Sequence, residues 1–467
     1  MNVSRMVVLS LCFIVAPSSW GTVYLQWSNP AIPPASSLGV SDIVVLWDGA
    51  APGALLASAR KQGYRVYLEA PLKDSEAAAK ACAKAACTGI VLNIPESQDA
   101  EAVKSLSRLR STYQELRFLR LNSNGKQPEM RGSVVIKRDA VLEVSSPTAQ
   151  PWIDTNLALM RVDQRAHTSE VPLYTFSWAD QAQQGTLTAD DYSLAVAEAD
   201  AFHADLVLRV DEHLQQRLNA QDRDAWALWN QVRLTLKFSP DANAAALQPA
   251  ANVAVVFDQL DAGDEVLNLL GRHNIPYKVF LAADLKSQDL KPFDIVIVLA
   301  KPDAESAERI RSLATEGETV VVVDAHGKYP WQSSEPEHVN EHTTSYTVGS
   351  GKVLELSEPV TDPETFAQDI RRLLGKSNTM LSLWNGLTTI AVPYKDRTGT
   401  MRLLELVNYA GEPVRIQVQV KGSFSKVRYE TPEGGCCQSL EPVKHDGFTE
   451  FVIPELRISG RLHLDAQ

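Results

Sequence analysis

The chain has 467 residues, with 45 Lys or Arg against 57 Asp or Glu, and 45% of its residues are hydrophobic. A net charge of −12 argues against a protein that coats nucleic acid or an anionic membrane, because both partners attract a positive surface. At roughly 100 to 200 residues per domain, the length predicts about two to four globular domains.

The N-terminus has the features of an export signal. Residues 1–20 contain one cation, a short apolar run and small residues where a peptidase would cut. The apolar run is shorter than the roughly 20 residues that cross a bilayer, and no later segment is uniformly apolar over that length. We therefore expect residues 1–20 to be a signal peptide and the protein to be exported, periplasmic or extracellular, without a membrane span.

Residues 21–239 alternate short β-branched runs with amphipathic helical stretches, the pattern of parallel strands joined by helical crossovers. The candidate strands are 22–27, 42–48, 64–70, 89–95, 116–121, 140–145, 172–177 and 205–210. Eight strands in this length predict an α/β fold of the (β/α)8 type, a TIM-like barrel, whose usual size is about 250 residues.

Two further domains follow a linker at 239–251. Residues 251–375 repeat βαβ units whose strands, such as VAVVF and DIVIVLA, are almost continuously apolar, which predicts a doubly wound parallel α/β domain. Residues 380–467 alternate apolar and polar residues between turns, as in VRIQVQVKG, which predicts an antiparallel β-sandwich.

This domain order resembles that of the bacterial β-galactosidases built from a catalytic barrel, a flavodoxin-like trimerisation domain and a β-sandwich. The segments VAVVFDQ, GDEVLNLLGRHNIPYKVFLAADL and GETVVVVDA carry the likeness to the trimerisation domain, which is itself similar to class I glutamine amidotransferases. The resemblance implies glycoside hydrolysis by the barrel and a homo-oligomer formed through the middle domain.

The resemblance also implies two catalytic positions. In that family, a Glu that follows an Asn ends the fourth strand as the acid/base, and a second Glu ends the seventh strand as the nucleophile. Here the fourth strand ends Asn-Ile-Pro-Glu at 93–96, and the seventh ends Ser-Trp-Ala-Asp at 177–180. A carboxylate is present near each position, but neither copies the family motif.

Carboxylates and Trp residues gather at the predicted C-terminal ends of the strands, where barrel enzymes hold their active sites. Paired carboxylates suit glycoside cleavage, because one protonates the leaving oxygen while the other attacks the anomeric carbon or activates water. We predict Glu96 as the acid and Glu69, on the neighbouring strand, as its partner. The predicted substrate-binding residues are Asp48, Trp47, Trp178, Asp180 and Asp211.

Two other interpretations stay open at this point. A strand-end carboxylate also caps the helix that follows it, because the helix N-terminus favours negative charge. The barrel could then be a catalytically silent protein of the cell envelope that binds carbohydrate or a protein partner, or a purely structural one.

No cofactor or metal site is predicted. The first turn of the middle domain, at 258–264, contains three aspartates, which would repel a nucleotide phosphate. The cysteines form two local pairs without CxxC spacing and are expected to be packing residues. The histidines at 326, 338 and 342 lack a recognised ligand spacing and are expected in a solvated loop.

Overall fold

The computed structural model describes residues 21–49, 53–95, 99–131, 135–138, 141–144, 152–168, 170–178, 186–238, 246–258 and 260–466. The predicted signal peptide and the site residues Glu96 and Asp180 lie outside the described residues.

The first region is built from short strands and the helices between them. Its strands are β1 (Val23–Gln26), β2 (Asp42–Leu46), β3 (Arg65–Pro71), β4 (Gly89–Asn93), β5 (Arg117–Gly125), β6 (Glu129–Arg131), β7 (Val135–Arg138), β8 (Val141–Val144), β9 (Trp152–Asp154), β10 (Leu173–Phe176) and β11 (Leu206–Arg209). Its helices are α1 (Ala35–Leu38), α2 (Gly53–Lys61), α3 (Ser75–Ala85), α4 (Asp99–Thr112), α5 (Leu157–Ala166), α6 (Ala189–Ala201), α7 (Glu212–Asn219) and α8 (Arg223–Lys237).

Seven of these strands close into a parallel barrel in the order β1-β11-β10-β5-β4-β3-β2, so the predicted TIM-like barrel is confirmed. Side chains alternate across each strand, and the inward positions include Tyr24, Tyr67, Val91 and Val207, which form one buried cluster inside the barrel. The outward positions pack against the helices in the main core.

The predicted count of eight barrel strands is wrong for the described residues. The predicted strand 140–145 coincides with β8, which pairs antiparallel with β7 in a separate two-stranded sheet. Only two residues separate β7 from β8, a connection that allows a hairpin, whereas parallel neighbours need a crossover of about a dozen residues or more. A second small sheet pairs β6 with β9, so the chain forms two small antiparallel sheets between barrel strands β5 and β10.

The second region is a mainly parallel sheet covered by helices. Its elements, with the linker strand, are β12 (Gln248–Pro249), β13 (Val253–Phe257), α9 (Leu260–Arg272), β14 (Tyr277–Leu281), β15 (Ile295–Val298), α10 (Ala304–Glu316), β16 (Thr319–Val322), β17 (Pro336–His338), β18 (Thr343–Val348), β19 (Gly351–Leu356) and α11 (Pro363–Asn378). The sheet order is β14-β13-β15-β16-β19-β18-β17, with β14 at one edge and the last two strands antiparallel.

Both faces of this sheet are buried, as the continuous apolar strands predict. Val255 and Ile297 belong to the core that contains helices α9 and α11, whereas Val256 and Val298 belong to a second core with α10. The predicted doubly wound fold is therefore confirmed.

The third region consists of two antiparallel sheets packed face to face. Its strands are β20 (Leu381–Trp384), β21 (Thr389–Lys395), β22 (Met401–Asn408), β23 (Val414–Lys421), β24 (Phe424–Thr431), β25 (Gly435–Leu440), β26 (Val443–His445), β27 (Phe448–Leu456) and β28 (Ser459–Ala466). One sheet has the order β12-β21-β22-β28-β24-β25 and the other β20-β23-β27-β26. Their inner faces form one apolar cluster, which confirms the β-sandwich.

Helix α6 lies between the barrel and the sandwich. Its Thr188 cap accepts a hydrogen bond from the Asp191 N–H, while the Asp191 carboxylate accepts one from the Thr188 N–H at 2.7 Å, so the helix begins with a complete capping box. Most of its side chains are buried, and it packs against β22 of the sandwich.

Two buried polar side chains, Glu198 and Arg461, connect α6 to the sandwich. The Glu198 carboxylate accepts hydrogen bonds from the Tyr409 hydroxyl at 2.6 Å and from the Thr155 hydroxyl at 2.6 Å. The Arg461 guanidinium, 2% exposed, donates to Glu405 at 2.6 Å and to Asp200 at 3.2 Å. The Arg461 charge is paired with carboxylates and the Glu198 carboxyl is hydrogen-bonded, as burial of such groups requires.

Within the described residues, none of the helices has the length and apolarity that a bilayer crossing demands.

Candidate active site

The polar mouth of the barrel follows from strand alternation. Tyr24, Tyr67 and Val207 point into the barrel core, so the residues two positions later, Gln26, Glu69 and Arg209, lie on the same inward face at the C-terminal ends of their strands. The same rule places Asn93 and Ser123 inward, and the Ser123 hydroxyl donates to the Asn93 side-chain oxygen at 3.2 Å. The mouth is therefore lined by polar groups above an apolar barrel interior.

Glu69 is the buried carboxylate of this mouth. It is 6% exposed, and its Oε2 accepts a hydrogen bond from the Gln26 side-chain amide at 2.7 Å. Burial raises the pKa of Glu69, while the positive charge of Arg209 and the hydrogen bond from Gln26 oppose that increase. A carboxyl group with a raised pKa keeps its proton to higher pH, which is the property that a general acid needs.

Arg209 brings a fixed positive charge to the same mouth. Its Nη1 donates to the Ser177 hydroxyl at 2.9 Å, while its buried Nε has no hydrogen-bond partner among the described residues. Arg209 thus places a positive charge close enough to Glu69 to lower the pKa of that carboxyl against the effect of burial.

The two predicted tryptophans lie at this end of the barrel. The Trp178 indole donates to the Arg209 carbonyl at 2.7 Å and packs edge-on against Phe176 and Tyr192, with centroid distances of 4.8 and 5.1 Å. The Trp47 backbone N–H donates to the Glu69 carbonyl at 2.8 Å. Both rings are half-buried, so part of each surface stays open for contact with a sugar ring.

The predicted aspartates have different surroundings. The Asp211 carboxylate accepts a hydrogen bond from the Leu214 N–H at 2.9 Å and caps α7, the role that the capping interpretation describes. Asp48 is exposed just beyond β2. Glu96, which lies three residues beyond β4, and Asp180 are outside the described residues. The structure thus brings Glu69, Trp47 and Trp178 together at one end of the barrel.

Sequence reasoning missed Gln26 and Arg209. Gln26 and Arg209 lie within the predicted strands 22–27 and 205–210, and the strand pattern alone does not indicate the face on which each lies. The signal is the period of two, because a residue two positions after an inward-facing barrel residue also faces inward and, at the C-terminal end of the strand, lies at the mouth.

Among the described residues, one group has a metal-ligand arrangement, with the ligand atoms of Glu430, Cys436 and Cys437 all within 4.8 Å of one another. The structure joins the two cysteines in a disulfide, so the sequence expectation that they only pack is wrong, and neither sulfur is a thiolate that could bind a metal. His326 pairs with Asp324 and His342 with Glu358, away from the barrel mouth.

This chain therefore joins a closed parallel barrel, a doubly wound sheet and a β-sandwich, and this fold is shared by a solved glycosidase structure. It is similar to the α-L-fucosidase isoenzyme 2 from Paenibacillus thiaminolyticus, with a TM-score of 0.59 and 11% identity over 96% of this chain and 100% of that one. This likeness supports the fold that the resemblance to β-galactosidases implies.

Two weaker likenesses are to other glycosidases. The β-galactosidase from Bacillus circulans sp. alkalophilus has a TM-score of 0.40 and 13% identity, over 88% of this chain and 66% of that one. The exo-beta-1,4-mannosidase Op5Man5 from Opitutaceae bacterium strain TAV5 has a TM-score of 0.47 and 10% identity, over 77% of this chain and 95% of that one. No family model and no curated protein matches the sequence.

Proposed function

We propose that this chain is an exported glycoside hydrolase-like protein that cleaves an oligosaccharide or glycoside at the barrel mouth. The observation that carries the proposal is Glu69, a carboxyl group with a raised pKa, buried beside Gln26 and Arg209 at the end of the barrel where enzymes of this architecture work. Trp47 and Trp178 supply the apolar surfaces for the sugar.

In this mechanism Glu69 donates its proton to the glycosidic oxygen as the bond between that oxygen and the anomeric carbon breaks. Glu96 takes the second role at the anomeric carbon. As a base it removes a proton from the attacking water; as a nucleophile it forms a glycosyl ester, which water deprotonated by Glu69 then hydrolyses. This assignment reverses the sequence prediction, which makes Glu96 the acid, because burial favours the protonated form of Glu69. In this mechanism Gln26 holds the Glu69 carboxyl by a hydrogen bond, Arg209 adds a positive charge beside it, and both contact the substrate's hydroxyl groups.

The alternative is a catalytically silent barrel that binds carbohydrate. One observation favours it: on the described barrel strands, Glu69 is the only carboxylate at an inward position near the mouth, and Asp211 is engaged in capping α7. A site with a single usable carboxylate binds sugar without the pair that hydrolysis needs.

The test compares wild type with Glu69→Gln, Glu96→Gln and the control Glu212→Gln on a panel of aryl glycosides and oligosaccharides. Glu212 is exposed at the same end of the barrel and accepts a hydrogen bond from Ser28, so its substitution removes a charge there without removing a hydrogen bond of Glu69 or Arg209. We expect Glu69→Gln to lower kcat by about 10²- to 10⁴-fold while ligand binding is retained, and Glu212→Gln to act like wild type.

The identity of the leaving group separates the two carboxylate roles. An acidic nitrophenol departs without protonation, so Glu69→Gln should retain far more activity on an activated aryl glycoside than on the matching oligosaccharide. Glu96→Gln should lose activity on both. Sugar binding with no turnover of any substrate by wild type would support the silent barrel and reject the hydrolase.

A further inference from the structure

A second pocket lies on the flank of the barrel, away from the mouth. It encloses about 420 Å³ between helix α5, the linker strand β12 and the edge strand β14 of the middle sheet. The α5 residues that line it, Arg161, Gln164 and Arg165, lie between the middle of the helix and its C-terminal end. Because barrel helices run back from the mouth, these residues lie toward the opposite end of the barrel.

The lining of this pocket is strongly positive. Arg161 and Arg165 from α5 and Lys278 from β14 all contribute to it, and none of the lining residues in the described part of the chain is a carboxylate. This stands out in a chain whose acids outnumber its bases by 57 to 45. Lined in this way, the pocket attracts anions and repels cations.

Within the described part of the chain, two of these three cations have no carboxylate partner. Arg165 pairs with Asp284, its Nε donating at 2.9 Å, but Arg161 and Lys278 make no ion pair within 4 Å among the described residues. The Arg161 guanidinium lies over the Phe202 ring and donates to the Gln164 side chain at 2.9 Å. Burial and the nearby charges of Arg165 and Lys395 lower the pKa of Lys278, as expected where positive charge is uncompensated.

A buried donor without a partner also lines the pocket. Tyr277 is 8% exposed, and its hydroxyl makes no hydrogen bond within the described residues. Burial raises the pKa of Tyr277, so the hydroxyl keeps its proton. An unpaired buried hydroxyl is unusual in proteins, and Tyr277 lines both this pocket and a smaller neighbouring one.

We infer that the pocket lined by Arg161, Arg165, Lys278 and Tyr277 binds a phosphate or sulfate group, either as the free oxyanion or as an ester on a sugar. Guanidinium groups bind these oxyanions through paired hydrogen bonds, and the lysine adds a point charge. A volume of about 420 Å³ holds a monosaccharide as well as the oxyanion. This site is independent of the mouth and does not rest on its chemistry.

Calorimetric titration of the full chain at fixed ionic strength tests this inference. The titrants are inorganic phosphate, inorganic sulfate, glucose 6-phosphate and glucose. We expect both oxyanions and the sugar phosphate to bind with one site per chain and glucose to give no signal at this pocket. Tighter binding of glucose 6-phosphate than of phosphate would assign the sugar ester as the ligand, and equal binding would assign the oxyanion alone.

Arg161→Gln and Lys278→Gln should each weaken phosphate binding by about tenfold or more, since each removes a charge-assisted hydrogen bond. Lys278→Arg should retain it. The control Lys291→Gln removes a surface cation that pairs with Glu316 outside the pocket and should leave affinity unchanged. Circular dichroism of each variant establishes that it is folded. Failure of wild type to bind either oxyanion, or equal affinity in the Arg161→Gln and Lys278→Gln double variant, would overturn the inference.

Discussion

Arg461→Met tests how much the buried ion pairs between the sandwich and the barrel region contribute to stability. The Arg461 side chain is 2% exposed and contacts the carboxylates of Glu405, Asp200 and Glu430 at 2.6, 3.2 and 3.2 Å. Methionine fills a similar volume without the charge, so the substitution leaves buried carboxylates without their cation. Removing one partner of a buried ion pair costs about 3–5 kcal/mol, which is the loss in unfolding free energy that we expect at pH 8.

The pH dependence of this loss follows from the neighbouring carboxyl groups. Burial and the charge of Glu405 already raise the pKa of Asp200 to about 8, and burial raises the pKa of Glu405. Without Arg461, both groups bind protons still more tightly in the folded chain than in the unfolded one. Stability of the variant therefore falls as pH rises above the unfolded carboxyl pKa, so the loss should be smaller at pH 5 than at pH 8.

Urea unfolding followed by circular dichroism at pH 5 and pH 8 measures both effects. Arg372→Met is the control, because Arg372 is 69% exposed and pairs with Asp369 at the surface, where an ion pair contributes at most about 1 kcal/mol. Adding Glu405→Gln to Arg461→Met should recover part of the lost stability at pH 8. A loss below about 1 kcal/mol, or the same loss at both pH values, would refute the reasoning.

Three further substitutions give distinct outcomes. Glu69→Gln should raise the unfolding free energy by about 0.5–2 kcal/mol at neutral pH. This gain in unfolding free energy should shrink as pH falls toward 4.5, because the raised pKa of Glu69 lowers wild-type stability only where the carboxyl of the unfolded chain is ionised. A gain that becomes larger in acid would contradict this. Tyr409→Phe should lower stability by about 1.5–3 kcal/mol through its lost hydrogen bond to Glu198, measured by urea unfolding, and Tyr429→Phe, whose hydroxyl binds the Glu455 carbonyl, should cost less. Trp178→Phe removes the indole N–H that binds the Arg209 carbonyl and should weaken sugar binding in calorimetry, whereas unchanged affinity would show that Trp178 only packs.

The apolar strands were the most predictable part of this molecule. The runs VAVVF and IVIV became strands β13 and β15 in the middle of the parallel sheet, because a strand buried on both faces must be apolar throughout. The predicted barrel strands at 42–48 and 64–70 correspond to β2 and β3, with ends shifted by one or two residues.

The wrong or missing predictions concern strand pairings and long-range contacts, which the local residue pattern does not determine. The run VLEV at 141–144 has the alternation of a strand, but its residues do not determine whether it pairs with barrel strands or, as in the structure, with β7 at 135–138. Glu69 was recognisable as a strand-end acid, whereas Arg209 was overlooked because its role depends on which way the strand faces in the closed barrel. Asp200 and Arg461 are 261 positions apart, so their contact depends on the packing of two regions.

The burial of α6 between barrel and sandwich has a consequence for how the chain folds during synthesis. The hydroxyl of Tyr394 binds the carbonyl of Ala201 across 193 positions, and Tyr409 reaches Glu198 across 211. Because the chain is made from the N-terminus, the barrel residues are synthesised first, and 193 to 211 further positions must be made before their sandwich partners exist. Contacts of such long sequence separation form slowly. The barrel should therefore reach its final packing only after the sandwich strands have been synthesised. Until then the apolar side of α6 is exposed, and it is a surface that a chaperone would recognise.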